Sequence, residues 1–208
     1  MLRITPLLRR TVLVTALLAT LGCQAPAAPA KSTSSDPLQT GRAVLANELR
    51  PTGERVLKAR ILVHAPPKVV WDMVHEERHH NPDLEYSRIV EQRSPVEAVL
   101  EEKFIQLPLI GTATCLIHMT EVPLQRIDYK MTRSDRFKAM DGSWVLTPAE
   151  NGTSTILELS SHLEMGLAIP HMFLDGVASK KLEKRVMHVR DLSEQQSRLA
   201  AGSPHGQS

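Results

Sequence analysis

A dense run of short β segments fills the middle of this 208-residue chain and limits its fold more than any other feature. Six segments rich in Val, Ile, Thr and Leu follow one another with turn residues between them: Tyr86–Arg93, Val96–Leu107, Thr112–Glu121, Gln125–Thr132, Ser143–Thr147 and Thr153–His162. Parallel strands need crossover connections of about a dozen residues or more, often helical, and these intervals leave no room for crossover helices. The segments therefore predict an antiparallel sheet, with the alternating stretch Val56–Ala65 as its first strand.

The dipeptide Asn151-Gly152 predicts the register of one hairpin. It favours a two-residue type I′ turn, because both central residues of that turn need a positive φ. Folding the chain there pairs three sets of residues: Glu150 with Thr153, Leu146 with Leu157, and Trp144 with Leu159. Four apolar side chains then share one face of the sheet.

A second hairpin is expected at Val122–Gln125, where Pro123 also permits other loop lengths. A two-residue loop at this position predicts two pairs: Leu116 with Met131, and His118 with Tyr129.

Helical patterns flank the sheet. Pro66-Pro67 ends the first strand, and the spacing of the apolar residues after Pro67 predicts a short helix, followed by a second short helix or turn over Glu76–Asn81. The last element, about 171–199, carries one apolar stripe: Leu174, Val177, Ala178, Leu182, Val186, Val189 and Leu192. A long amphipathic helix beside a curved antiparallel sheet is an α+β arrangement that can enclose a cavity.

Five pieces of the chain carry a resemblance, in this order: APPKVVWDMV (65–74), Asn81-Pro82-Asp83, VPLQRIDYKM (122–131), DGSWVLTPAENGTSTILEL (141–159), and Ile169-Pro170 before the last helix. They resemble the helix-grip fold of the START-related and polyketide cyclase/dehydrase-like (SRPBCC) superfamily. The resemblance implies a seven-stranded antiparallel sheet wrapped around a long C-terminal helix, with two short helices after the first strand. It also implies an apolar pocket for lipids, sterols, quinones or polyketides. The superfamily includes carriers, ligand-regulated modules and some enzymes, and it shares no catalytic motif.

We predict that both hairpins and the last helix line this pocket, through Leu116, His118, Tyr129, Met131, Trp144, Leu146, Leu157, Leu159, Leu174 and Ala178. His118 and Tyr129 could act there as acid/base groups or orient a ligand, or they could simply bond each other in the core or face solvent. Two apolar loops either form the pocket mouth, through Leu109, Ile110, Leu167 and Ile169, or pack on the last helix.

The first 22 residues have the layout of a secretory signal peptide. Three arginines lie within residues 1–10, and the apolar run at 11–22 is shorter than the roughly 20 residues that span a bilayer. Thr20-Leu21-Gly22-Cys23 resembles the bacterial lipobox, although Thr20 stands where Leu is usual; the resemblance implies acylation of Cys23. The alternative is cleavage at Ala25-Pro26-Ala27 or Ala28-Pro29-Ala30, which would release a soluble protein.

The chain is thus expected to divide into a signal peptide (1–22), a lipidated N-terminus with a flexible tether (23–53), a helix-grip domain (54–199) and a disordered tail (200–208). It would face the periplasm or the cell surface from a bacterial envelope membrane. With Cys23 acylated, Cys115 has no partner within the chain and is expected to be a small buried hydrophobe.

The net charge and the clusters of polar residues limit the classes of function that we expect for this chain. Without the three leader arginines the chain has 22 Lys and Arg against 23 Asp and Glu, so nothing favours a nucleic-acid partner. A metal at His75, His79 and His80 would need a ligand from another element, and we expect a solvated surface there, with no metal and no cofactor. Glu101, Glu102 and Lys103 are expected on an exposed strand face.

Three hypotheses follow. The leading one is a membrane-anchored protein that binds or carries a hydrophobic molecule or lipid without catalysis. The second is a cyclase, dehydratase or hydrolase that uses His118, Tyr129 or a carboxylate in the same pocket. The third is an envelope assembly protein that acts through its surface because its cavity has collapsed.

Overall fold

A computed structural model describes residues 37–107, 111–166 and 171–202. The elements, in chain order, are β1 (Val44–Leu49), β2 (Arg55–Val63), α1 (Pro67–His80), β3 (Leu84–Ser94), β4 (Glu97–Leu107), β5 (Gly111–Val122), β6 (Arg126–Ser134), β7 (Phe137–Ala149), β8 (Ser154–Met165) and α2 (His171–Gly202). The strands form one antiparallel sheet in the order β1-β2-β8-β7-β6-β5-β4-β3. The predicted α+β class, with a sheet beside a long C-terminal helix, is confirmed.

The sheet has eight strands rather than seven, because β1 lies within the segment that was expected to be a flexible tether. It forms a hairpin with β2, from Val44 opposite Arg60 to Leu49 opposite Arg55. Its side chains are mostly exposed, so an edge strand of this kind shows no apolar alternation in the sequence. The folded part therefore begins before residue 54.

One continuous helix, α1, replaces the two short helices expected after the first strand. It begins at Pro67, which suits a first helical turn, and continues through the polar residues 76–80. The buried side chain of Glu77 holds this second half against the rest of the molecule. The last helix is also longer than expected, since α2 ends at Gly202 rather than near residue 199.

The hairpin at Asn151-Gly152 is confirmed with the predicted register of its apolar pairs, but the ladder ends at Ala149 and Ser154, so Glu150 and Thr153 lie in the loop instead of forming the expected strand pair. Leu146 pairs with Leu157 and Trp144 with Leu159, and all four side chains are buried. Both turn residues have positive φ, at 57° and 85°, as a type I′ turn requires.

The hairpin between β5 and β6 is shifted by one residue from its predicted register. Val122 pairs with Arg126, so the loop contains three residues, and Leu124 within it has a φ of 63°. Ile117 therefore pairs with Met131, and His118 with Lys130. Because successive strand residues point to opposite faces, Ile117 and Met119 share a face with Tyr129 and Met131, in place of Leu116 and His118.

Two hydrophobic clusters stabilise the fold. The larger one joins both helices to β2, β7 and β8 and includes Ile61, Leu157, Leu159, Val186 and Val189. The smaller one lies mainly on β5 and β7, around Cys115 and Phe137. Cys115 is buried, as predicted, and its Sγ donates to Ser134 Oγ at 3.3 Å. Within the described residues, neither helix has a stretch long and apolar enough to cross a bilayer.

Candidate functional site

A cavity of about 850 Å³ lies between the sheet and the two helices. Members of both hydrophobic clusters line it, including Leu57, Ile127 and Leu182 from the larger and Ile117, Phe137 and Met140 from the smaller. One end is bordered by the β1–β2 turn (52–55) and by the last residues of β8 (163–165). Its size falls within the range of about 300–1,000 Å³ that is typical of small-molecule sites.

The structure places three of the predicted pocket residues on the cavity wall: Tyr129, Trp144 and Ala178. Three others, Leu146, Leu157 and Leu159, are buried in the larger cluster and do not line the cavity. They lie on the same face of the sheet as Trp144 and pack within that cluster.

The remaining predicted pocket residues divide into two groups. Leu116 and His118 do not line the cavity, because the shifted register turns them to the other face of the sheet from Tyr129, and Met131 packs against the smaller cluster instead. The side chain of Leu174 and the predicted mouth residues Leu109, Ile110, Leu167 and Ile169 lie outside the described residues.

The predicted pair of His118 and Tyr129 is wrong. His118 Nε2 lies 2.7 Å from Glu97 Oε1, away from the cavity. Tyr129 Oη faces the cavity and donates to the carbonyl oxygen of Ser160 at 2.9 Å. Burial raises the pKa of the Tyr129 phenol, so it remains a neutral hydrogen-bonding group.

An ion pair that the sequence analysis missed lies on the cavity wall. Arg185 of α2 donates to both carboxylate oxygens of Glu77, with Nε–Oε1 and Nη2–Oε2 distances of 2.7 Å. Glu77 is only 2% exposed, and the Arg185 guanidinium lies 5.3 Å from the centre of the Trp144 ring. Burial alone would lower the pKa of Arg185, but the Glu77 carboxylate outweighs it and raises that pKa. The guanidinium is therefore fixed in its charged form.

A second carboxyl group, that of Glu102 on β4, also faces the cavity. The three residues expected on an exposed strand face, Glu101, Glu102 and Lys103, are all only partly exposed, and Glu101 accepts hydrogen bonds from Tyr86 and Arg88. Ser87 Oγ donates to Glu102 Oε1 at 2.9 Å. Burial raises the pKa of Glu102, so protonation costs less there than in water.

The three histidines near the end of α1 do not form one site. His75 lines the cavity, stacks edge-on against Trp71 with ring centroids 5.1 Å apart, and has a pKa lowered by burial. His79 is exposed, and His80 Nε2 lies 3.0 Å from Glu76 Oε1 on the surface. No group of three or more His, Cys, Asp or Glu side chains among the described residues could hold a metal ion.

His162 on β8 is a further cavity residue that the sequence did not single out. Its Nδ1 lies 2.8 Å from the carbonyl oxygen of Arg55, where only a protonated nitrogen forms a hydrogen bond. Its Nε2 is buried without a hydrogen-bond partner among the described residues.

The fold and the cavity define the class of structure: the antiparallel sheet with its long C-terminal helix is the helix-grip fold of START-related proteins. No family model and no curated protein matches the sequence.

Three solved structures illustrate this fold. The lipid transfer and protein localization domain of human StarD13 is 17% identical, with a TM-score of 0.60 over 74% of this chain and 85% of that chain. A START superfamily protein from Mycobacterium smegmatis is 17% identical, with a TM-score of 0.54 over 70% and 98%. The Zhui aromatase/cyclase from Streptomyces sp. R1128 is 17% identical, with a TM-score of 0.52 over 72% and 99%. At these identities the likeness establishes the fold alone.

Proposed function

We propose that this protein is exported, is anchored to a membrane of the bacterial envelope through Cys23, and binds or carries a hydrophobic small molecule or lipid. The observation that carries the binding proposal is the cavity of about 850 Å³ with its largely apolar wall. The shared fold with a lipid transfer domain supports the same class of ligand. An open cavity of this size also argues against the collapsed domain of the third hypothesis.

Native mass spectrometry of the full chain tests the binding proposal. The probes are phosphatidylethanolamine, a long-chain fatty acid and menaquinone, each added separately. We expect a one-to-one complex with at least one probe. Ala178→Trp should abolish it, because Ala178 lines the cavity and a large side chain would fill the space.

Ala200→Trp is the matched control, since Ala200 is exposed near the end of the same helix. Circular dichroism of both variants separates a filled cavity from a failure to fold. The binding proposal would be abandoned if the wild-type chain bound none of the probes, or if both variants lost binding equally.

The anchoring proposal rests on the leader and on the tetrapeptide that ends at Cys23. Its test is the mass of the mature N-terminus after expression in a bacterium. A diacylated N-terminal Cys23, and loss of membrane association in Cys23→Ala, are the expected results. A mature chain that begins after Ala27 or Ala30 would contradict it.

A catalytic function is the second candidate, because polar side chains face this cavity: Tyr129, Glu102 and the pair of Glu77 and Arg185. Such groups can move protons on a bound substrate. Mass spectrometry of polyketone and long-chain ester probes, incubated with the full chain, would reveal cyclisation, loss of water or hydrolysis. Turnover that disappears in Glu102→Gln would favour the enzyme over the carrier.

A further inference from the structure

Arg185 has unused hydrogen-bond donors on the cavity wall. A guanidinium carries five N–H donors. Nε and Nη2 of Arg185 donate to Glu77, and Nη1 has no partner among the described residues. Within those residues, the only fully buried side-chain nitrogen and oxygen atoms without a partner are His75 Nε2 and His162 Nε2. Nη1 of Arg185 is therefore not fully buried, and another molecule can reach it.

The guanidinium group lies between α2 and the sheet. Arg185 belongs to α2, yet its guanidinium carbon lies 5.3 Å from the centre of the Trp144 ring on β7. Trp144 packs in the same hydrophobic cluster as Val186 and Val189 of α2, so its ring is on the face of the sheet that the helix covers. Arg185 and Trp144 both line the cavity. The side chain thus reaches from the helix towards the sheet, and the donors on Nη1 face the cavity.

Two contacts hold this group in place without a ligand. The paired bonds to Glu77 fix the plane of the guanidinium, and Glu77 is itself 2% exposed. The Trp144 ring attracts the cation through its π electrons. A donor that is already positioned loses little conformational entropy when a ligand binds. Nη1 is therefore suited to hold one acceptor atom of a ligand.

The Glu77 carboxylate already balances the charge of Arg185, and this limits the acceptor. A ligand carboxylate on the same guanidinium would lie beside Glu77, where like charges repel and a second buried anion loses its hydration. An ammonium has no acceptor to offer. A carbonyl oxygen accepts, has no net charge and brings no donor that needs a partner of its own. A neutral carbonyl group therefore matches this position best.

We propose that the cavity recognises a neutral hydrophobic molecule with a carbonyl group, such as an ester or a ketone, whose oxygen accepts a hydrogen bond from Arg185 Nη1. Apolar wall residues such as Ile127 and Leu182 contact the rest of the ligand. This inference rests on the proposed binding function and specifies the ligand class of that same cavity.

Three pyrene probes test the inference: methyl 1-pyrenebutyrate carries the carbonyl group, 1-hexylpyrene lacks it, and 1-pyrenebutyrate carries a charge. Each is titrated with the full chain and followed by pyrene fluorescence. The measured quantity is the ratio of the ester's affinity to that of hexylpyrene, because their difference in hydrophobicity is the same for every variant. In the double variant Glu77→Leu with Arg185→Met, no partner of the pair is left buried alone. The ratio should fall about tenfold or more there, since a hydrogen bond to a charged group is lost.

The infrared spectrum of the bound ester gives an independent measurement. A hydrogen bond from Arg185 lowers the stretching frequency of the ester carbonyl, whose band is separate from the amide bands of the protein. The band of the ester bound to the wild-type chain should lie at lower frequency than in hexane or in the double variant. Circular dichroism shows whether the double variant folds. If it does not, the comparison with hexane decides.

A matched control replaces an exposed ion pair on α1 in the same way. Lys68 Nζ lies 2.9 Å from Asp72 Oδ2, and neither residue lines the cavity. Asp72→Leu with Lys68→Met should keep both the wild-type affinity ratio and the wild-type carbonyl band.

Three results would overturn this inference and leave hydrophobic binding intact: an unchanged ratio in the folded double variant, a carbonyl band at its position in hexane, or tighter binding of 1-pyrenebutyrate than of its methyl ester. It would also be overturned if the wild-type chain bound a lipid, the fatty acid or menaquinone but none of the pyrene probes. Failure of every probe in both experiments would overturn the proposed function as well.

Discussion

The pair of Glu77 and Arg185 allows a quantitative test of how the two helices are joined. Glu77→Gln keeps the shape of the side chain but leaves the Arg185 guanidinium without its carboxylate. Removing one partner of a buried ion pair typically costs about 3–5 kcal/mol. Because the Arg185 side chain is 28% exposed, we expect the lower end, about 3 kcal/mol.

Removing Arg185 instead of the Glu77 carboxylate should lower the free energy of unfolding further. Arg185→Met leaves a carboxylate that is 2% exposed without a partner, so we expect a loss of about 4 kcal/mol. The double variant Glu77→Leu with Arg185→Met replaces the pair by apolar side chains, and such replacements are often neutral or stabilising. It should therefore be far more stable than either single variant.

Equilibrium urea unfolding, followed by far-UV circular dichroism, measures these differences. Trp fluorescence is less suitable, because Arg185 lies over the ring of Trp144. Arg88→Met is the control, since the exposed pair of Arg88 and Glu101 should contribute about 0–1 kcal/mol. Single variants within about 1 kcal/mol of the wild type, or a double variant whose loss equals their sum, would refute the reasoning.

Three other features give further expectations. Gly142→Ala would place a Cβ under 3.0 Å from a backbone carbonyl and a tyrosine ring, so it should lose about 1–3 kcal/mol in urea unfolding, whereas Gly176→Ala has open space and should lose nothing. In a Cys23→Ser chain, the thiol of Cys115, whose pKa burial raises to about 11, should resist alkylation at about pH 8 until urea unfolds the protein; rapid labelling of the folded state would contradict its burial. Burial holds the pKa of His75 below 6.5, so the folded state binds fewer protons there, and the free energy of unfolding should fall as pH drops below about 6.5. That fall should be smaller in His75→Gln, and an identical pH profile would show that His75 is not the cause.

The sequence predicted those parts of the fold that short-range geometry dictates. Asn151 and Gly152 adopt positive φ at little cost, so the position of the turn and the register of the apolar pairs follow from the dipeptide, although the ladder ends one residue earlier on each strand than expected. The apolar stripe of the last helix was equally informative, because Leu182, Val186 and Val189 are buried at helical spacing.

The site was predicted less well because one loop length was wrong. Pro123 restricts its own φ but does not fix the number of residues in the loop, and Leu124 adopts a positive φ that is uncommon for leucine. The extra residue moved His118 away from the cavity. The one-residue error in loop length therefore led to the wrong prediction that His118 faces the cavity beside Tyr129.

Long-range pairing explains the other omissions. Glu77 and Arg185 are 108 residues apart, and each resembles an ordinary solvated charge on an amphipathic helix. Glu102 lies beside two charged residues on its strand, and no local pattern distinguishes its environment from theirs. Burial of such groups depends on which elements meet, and sequence periodicity does not report that.

The cavity is lined by members of both hydrophobic clusters and by polar side chains. The residues that stabilise the helices are therefore not all the residues that a ligand would contact. The larger cluster ties both helices to β2, β7 and β8, while β4 and β5 contribute wall residues such as Glu102 and Ile117 from the other side. Changes to those two wall residues alter what a ligand contacts, and they remove no member of the larger cluster. A fold of this kind can change the ligand that it binds during evolution while the packing of the helices on the sheet is kept.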